Sequence, residues 1–432
     1  MALVTVCTAV VSGLLMVAVA LLLLPPQPDE LLFNLVADPG VRGGTAFGTV
    51  LLTFPALLLL DQAVRLGTAA RERRLAALRL AGATPAQVRL LGTFEVALPS
   101  LLGGILGLGV YALLRATFGG IPRDAPPDPF ARVSTLDVRL VPTTVTPHWW
   151  QFLLVVLAVT LAGAAVGLLS SRGLAISPFG VTRRHRTAPP RPWGLLGLLA
   201  AACAGALTVP FRDSATVLGM GAVALAVGGI VVLAPWAAHR MGRRAQRRAR
   251  SASGLLAAGR LLSDPRPAGR AAAAVGGISL VSGGAAALTA DILAPVHTPD
   301  AFYTVSLLIV AMVLLLALVA AAWTLAVHTV ESLLDRRRST AALVAVGVTT
   351  EDLQRSQRTE CALVAVPLSV VGVLVGTLSL GPFVQHDATG VVVMLMNLAV
   401  TPALVWVAIV VAVRLVRPWT VRAGAPGNLR TE

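Results

Sequence analysis

The chain has 432 residues, of which 56% are hydrophobic and 13% charged, at a mean hydropathy of +0.81. Its formal net charge is +15, from 35 basic residues against 20 acidic ones. A soluble domain averages about 25% charged residues, so this composition argues against a soluble globular protein and for a chain that crosses a bilayer many times. No stretch alternates in the roughly ten-residue pattern of a membrane barrel. The spans are therefore expected to be helices of about 20 apolar residues, and the fold class all-α.

Ten spans are read along the chain: 2–24, 43–66, 96–118, 149–171, 193–210, 215–238, 271–293, 301–330, 361–381 and 389–413. The first lacks a basic leader, and LLLLPPQPDE after it offers no A-x-A cleavage site, so it is expected to stay attached as a signal anchor. The second runs past Asp61 into an arginine-rich stretch. The longest outer loop, 119–148, is proline-rich (IPRDAPPDPF) and ends in HWW, an aromatic anchor suited to the membrane interface. The seventh span, AAAAVGGISLVSGGAAALTADIL, is the least apolar. Its glycines and alanines suit close helix approach inside a bundle. Cys7, Cys203 and Cys361 fall in or beside spans and are expected to be buried free thiols. Their spacing gives neither a disulfide framework nor a metal site.

Orientation follows from arginine, because the chain contains no lysine. With spans alternating, one side holds 29 of the 35 arginines, in loops 65–92, 172–191, 239–272, 331–360 and 414–430. The positive-inside rule makes that side cytoplasmic, with both termini on it. The abundance of Arg, Ala, Gly and Val suggests a bacterial source and hence the bacterial cell membrane.

An internal repeat is present. A shift of 265 residues lays 71–107 on 336–372 with eleven of 37 positions identical. It pairs Arg71 with Arg336, Arg73 with Arg338, Gly82 with Gly347, Thr84 with Thr349 and Glu95 with Glu360. The same shift sets the first two spans on the seventh and eighth. The expected architecture is four spans, an inserted hairpin, and four more. Its boundaries are 1–185, 186–270 and 271–432.

The repeated element reads as helix, elbow, helix. Gly82 suits the left-handed position that ends a helix. Thr84 is a good N-cap, Pro85 fits the first helical position, and Gln87 completes a T-x-x-Q capping box. In the second copy Gly347 is the stop and Thr349 the cap, while Glu351 and Asp352 occupy the first turn, where the helix dipole favours acids. A short helix of about two turns is expected to lead to Glu95 or Glu360 and then to the next span. Both acids are expected to pair with a local arginine or to cap.

The two copies, ARERRLAALRLAGATPAQVRLLGTFEVALPSLLGGILG and DRRRSTAALVAVGVTTEDLQRSQRTECALVAVPLSVVG, resemble the FtsX-like (MacB/LolC-type) permeases of ABC transporters. The second copy is diverged, with Val344 where the first has Arg79. SPFGVTRR at 177–184 also looks like the linker of actinobacterial members. The resemblance implies that residues 84–94 and 349–359 are coupling helices that sit in grooves of a cytoplasmic ATPase, so that one chain engages two ATPase subunits. Arg71, Arg73, Gly82, Thr84, Pro85, Gln87, Glu95, Arg336, Arg338, Gly347, Thr349, Glu351, Asp352 and Glu360 are then ATPase-coupling positions. The outer loops at 25–42 and 294–300 are short, so the large outer domain frequent in the family is absent between these spans.

No Walker A loop is available without lysine, so catalysis is not expected here, and ATP and magnesium belong to the partner. There is no H-E-x-x-H and no clustered His. The run RMGRRAQRRARSASG, around 240–250, suits anionic lipid better than nucleic acid. Asp61 lies near a span end and is the candidate intramembrane polar residue, although Ala326 takes its place in the second copy. The sequence thus points to a permease subunit coupled to a separate ATPase, for export or extraction of a membrane-associated substrate or for signalling. An ion-gradient transporter is the alternative, disfavoured by acids that sit mostly at span ends, and a membrane sensor without transport is the third reading.

Overall fold

The computed structural model describes residues 2–26, 32, 34–37, 39–65, 74, 77–78, 81–119, 139–172, 189–207, 215–292, 301–380 and 388–429. The fold is all-helical and the protein is a polytopic membrane protein, with eight helices among the described residues long and apolar enough to cross a membrane. The chain divides into two compact units, Met1–Arg186 and Thr187–Glu432.

The first unit holds α1 (Ala2–Leu22), the short α2 (Asn34–Ala37), α3 (Pro39–Arg65), α4 (Pro85–Phe118) and α5 (Trp149–Arg172). Helices α1 and α4 meet through small residues. A Cβ on Gly103 would overlap Thr8 Oγ1, and one on Gly107 would overlap Ser12. Both polar side chains are fully buried, with Thr8 Oγ1 donating to Val4 O at 2.9 Å and Ser12 Oγ crossing to Gly104 O at 2.9 Å. In a bilayer, where lipid is as apolar as leucine, such backbone approach is what binds helices. Helix α5 closes on α4 the same way, with Gly163 against Ser100 and Gly167 against Val96. Arg42, 6% exposed, ties α3 to the end of α1 and to α2, its guanidinium donating to Leu24 O, Pro25 O, Val36 O and Ala37 O. Trp149 and Trp150 at the start of α5 are exposed, as an interfacial anchor requires.

The second unit holds α6 (Gly194–Leu207), α7 (Ala215–Arg248), α8 (Ala252–Ser263), α9 (Pro265–Ile292), α10 (Ala301–Asp335), α11 (Arg337–Ala345), α12 (Thr350–Leu380), α13 (Ala388–Leu415), α14 (Arg417–Ala423) and a final 3-10 turn, Pro426–Leu429. Helix α9, the glycine- and alanine-rich segment, is the most enclosed of the eight spans, at 78% buried against 56% or less for the others. Its partner is α12. Gly372 approaches Gly276 O, Gly376 approaches Leu280 O, and Thr377 Oγ1 donates to Gly283 O at 3.3 Å. The unit thus repeats the small-residue seam of α1 and α4. Helix α13 is pinned to α9 by a polar node, in which Ser282 Oγ reaches Asn397 Oδ1 at 3.0 Å and Thr401 Oγ1 at 3.1 Å.

Each of the ten expected spans coincides with a helix, but two need comment. Helix α3, 27 residues long, is long enough to cross. Helix α6 has 14 residues, and at 1.5 Å per residue it rises about 21 Å, short of a hydrocarbon core of about 30 Å. The described part of the fifth expected span does not cross by itself. Helices α6 and α7 pack together through Gly194, Gly197 and Gly229, and α7 packs on α9 at Pro235 and Gly269, so the inserted pair is built into the second unit. Cys7 and Cys361 are buried as expected, but Cys203 is exposed. It lies on α6, which packs through its glycine face and leaves the opposite side outward.

Candidate functional site

The repeated elements form two elbows of one design. In the first, Arg74, Ala77 and Leu78 are helical, and the chain turns at Gly82 with φ +97°. The Ala83 N–H reaches back to Leu78 O at 3.0 Å, the six-to-one bond of a Schellman end. Thr84 then caps α4. Its Oγ1 accepts from the Gln87 N–H at 3.3 Å, and the Gln87 Oε1 accepts from the Thr84 N–H at 2.9 Å, so two otherwise orphaned donors are satisfied reciprocally. Pro85 stands in the first turn of α4.

The second elbow repeats this in the same register. Gly347 has φ +100°, and the Val348 N–H reaches Leu343 O at 3.0 Å. Thr349 Oγ1 accepts from the Asp352 N–H at 3.1 Å and donates to Asp352 Oδ2 at 2.7 Å. Asp352 stands where Gln87 does, but its carboxylate takes the Thr349 hydroxyl and not the cap's backbone N–H. Glu351 and Asp352 lie in the first turn of α12. Gly82 and Gly347 are the positive-φ glycines of the described chain, as two left-handed helix stops require.

One expectation is corrected. The short helix after each elbow is not separate from the next span. Helices α4 and α12 run unbroken for 34 and 31 residues, through Pro99 and Pro367 respectively. The sequence offers no stop signal between the elbow and the span in either copy, so helical hydrogen bonding continues.

The two acids that share a register, Glu95 and Glu360, have different surroundings. Glu95 pairs with Arg74, whose side chain is 63% exposed. Glu360 is 7% exposed and pairs with Arg260 of α8 at 3.6 Å, not with an arginine of its own elbow. The register counterpart of Arg74 is Ser339, which donates to Arg336 O. The linking helix therefore supplies the cation that the second repeat lacks. Arg336 adds a second tie to α8 through Ser263 Oγ at 3.2 Å. Around Glu360 lies a small cavity of about 10 Å³, lined by Arg260, His328, Thr340, Gln357 and Cys361 among others. It has room for about one water and none for an organic substrate. Sequence reading missed Arg260, His328 and Gln357. The usable signal was Ser339 standing where the first copy has Arg74.

The remaining expected residues are placed as follows. Arg338 is exposed on α11, and Asp61 lies within α3. Arg71, Arg73 and the 177–184 stretch lie outside the described residues, as does the proline-rich 121–130 segment. Five arginines of the 240–250 run continue α7 beyond the apolar stretch, and Arg240 lies over the Trp236 ring at 5.5 Å. Among the described residues, no group of three or more His, Cys, Asp or Glu is placed to hold a metal ion.

Fold and elbows define a two-repeat helical membrane protein with twin turns at one end of equivalent helices. A sequence description of the FtsX-like permease C-terminal family matches residues 46–179 and 311–416. These segments cover more than half the chain, begin 265 residues apart, and each contains one elbow. The chain belongs to the FtsX-like permease family, the membrane-spanning side of ABC transporters. No curated protein matches it.

Proposed function

We propose that this permease is the membrane subunit of an ABC transporter whose ATPase is a separate cytoplasmic protein, and that the two elbows are its docks. The carrying observation is the pair of left-handed glycines with identical six-to-one bonds and threonine caps in one register. A loop that only oriented the chain by charge needs arginines, not a repeated backbone geometry. Two docks on one chain suit two ATPase subunits, which supply ATP and magnesium. Their closure would tilt α4 and α12, and the small-residue seams would carry the tilt to α1 and α9. This assigns the elbow ends, and with them both termini, to the cytoplasm of a bacterial cell. The basic end of α7 then lies against anionic lipid at 240–250. The ten-span arrangement completes this reading. The cargo is a membrane-associated molecule moved outward or extracted, or else the movement is itself the signal.

The test is a pull-down of the tagged chain from native membranes in mild detergent, with quantitative mass spectrometry. Recovery of an ABC-type ATPase at about two copies per chain is the expected result. A stable preparation without any such ATPase, even after nucleotide trapping, would refute the docking role.

A further inference from the structure

A cleft of about 310 Å³ opens beside the second elbow, lined by Thr350, Glu351, Gln354, Arg355, Arg358 and Arg417. Two separate elements bring three guanidinium groups to it. Helix α12 contributes Arg355 and Arg358, and α14 contributes Arg417 at its first residue. Arg355 is partly neutralised by Asp352 at 3.8 Å. Arg358 and Arg417 make no ion pair among the described residues.

Two residues that line this cleft carry unsatisfied donors. Gln354 is 8% exposed, and its Nε2 has no hydrogen-bond partner among the described residues. The Nε of Arg358 is buried and equally unpartnered. Buried polar groups are rarely left this way. Guanidinium and amide NH2 groups are donors only, so the missing partner is an acceptor. Charge complementarity makes it an anion with several oxygens, and the fork geometry of arginine matches phosphate.

Depth narrows the source. The apolar span of α13 ends at Leu415, two residues before Arg417. On α14 the side chains of Trp419 and Val421 are exposed, and a tryptophan next to the end of a span sits at headgroup level. We propose that this cleft is a phosphate-ester site, held by Arg358, Arg417 and Gln354, with the headgroup of an anionic phospholipid as the source its depth favours over a soluble phosphate. All of its lining residues but Arg417 belong to the segment proposed above as an ATPase dock, and the test separates the two by reading lipid retention with no ATPase present.

The full chain is delipidated in neutral detergent and examined by native mass spectrometry. Phosphatidylglycerol, phosphatidylcholine or inorganic phosphate is added. The chain is expected to retain phosphatidylglycerol in preference to phosphatidylcholine. Arg358→Gln and Arg417→Gln are each expected to lower that retention about tenfold, as loss of one charge-assisted bond does. Glu351→Gln removes a repelling carboxylate and is expected to raise retention several-fold, a gain that misfolding does not produce. Resistance of the bound lipid to millimolar inorganic phosphate supports the lipid source. Displacement by phosphate supports the same site with a soluble ester. Equal retention of every probe by the wild type and all three variants would overturn the proposal.

Discussion

Replacement of Gly347 gives a graded test of the elbow, because the energetic terms separate cleanly there. The residue is exposed at φ +100°, and a Cβ built on it meets nothing within 4 Å. A side chain therefore costs no packing energy, only the left-handed backbone. For alanine that cost is about 1–2 kcal/mol. Valine, stiff at its branched Cβ, should approach ~3 kcal/mol. Asparagine tolerates the left-handed region best among non-glycine residues and should cost least. One to two kcal/mol lowers the population of the native elbow roughly 5–30-fold relative to its opened form. The bonds released on opening are those from the Gly347 N–H to Val344 O and from the Val348 N–H to Leu343 O, 2.9 and 3.0 Å long. Hydrogen exchange read on peptides spanning 346–353 should quicken in the order asparagine, alanine, valine, with alanine about 5–30 times faster than glycine. Valine exchanging at the wild-type rate would refute the reasoning.

Other perturbations follow the same logic. Gly82→Val should leave the protein inserted in the membrane but abolish its stimulation of the partner ATPase, and normal stimulation in that variant would remove the first elbow from the coupling scheme. Arg260→Met leaves Glu360 buried without its cation, which costs about 3–5 kcal/mol. Adding Glu360→Met should recover most of that loss in thermal unfolding, and strictly additive losses would show that the pair is not coupled. Gly376→Leu forces a side chain onto Leu280 O. The α9–α12 seam must open, and cysteine cross-links placed across it should form more slowly. The corresponding change at Gly48, where a Cβ meets nothing within 4 Å, should leave yield and melting temperature unaltered.

Much of this was legible in the sequence because the signals are local. Gly82, Thr84 and Gln87 act on backbone groups within four residues, so their roles follow from spacing alone. The apolar runs gave the helices for the same reason, since every backbone group in lipid must bond within its own segment. The seventh span was readable through its small residues, and it is the most enclosed span observed. What spacing did not show is what depends on distant partners. The Arg260–Glu360 pair joins positions a hundred residues apart, and only the missing arginine at Ser339 hinted at it. The cleft at Arg417 needs α12 and α14 side by side. The continuity of α4 from elbow to span was missed because a two-turn helix and the start of a long one have the same caps.

That continuity has a mechanical consequence. A rod of 34 residues is about 51 Å long at 1.5 Å per residue. If α4 pivots about one end by about 5°, its far end moves about 4 Å, close to the 5.4 Å pitch of one helical turn. A jointed coupling segment would lose such a stroke in the joint. Pro99, about 40% of the way along, removes one backbone bond and is the natural place for what bending there is. In a continuous rod of this length a rotation of a few degrees at one end becomes a displacement of several ångströms at the other, with no outer domain between these spans needed to extend the arm.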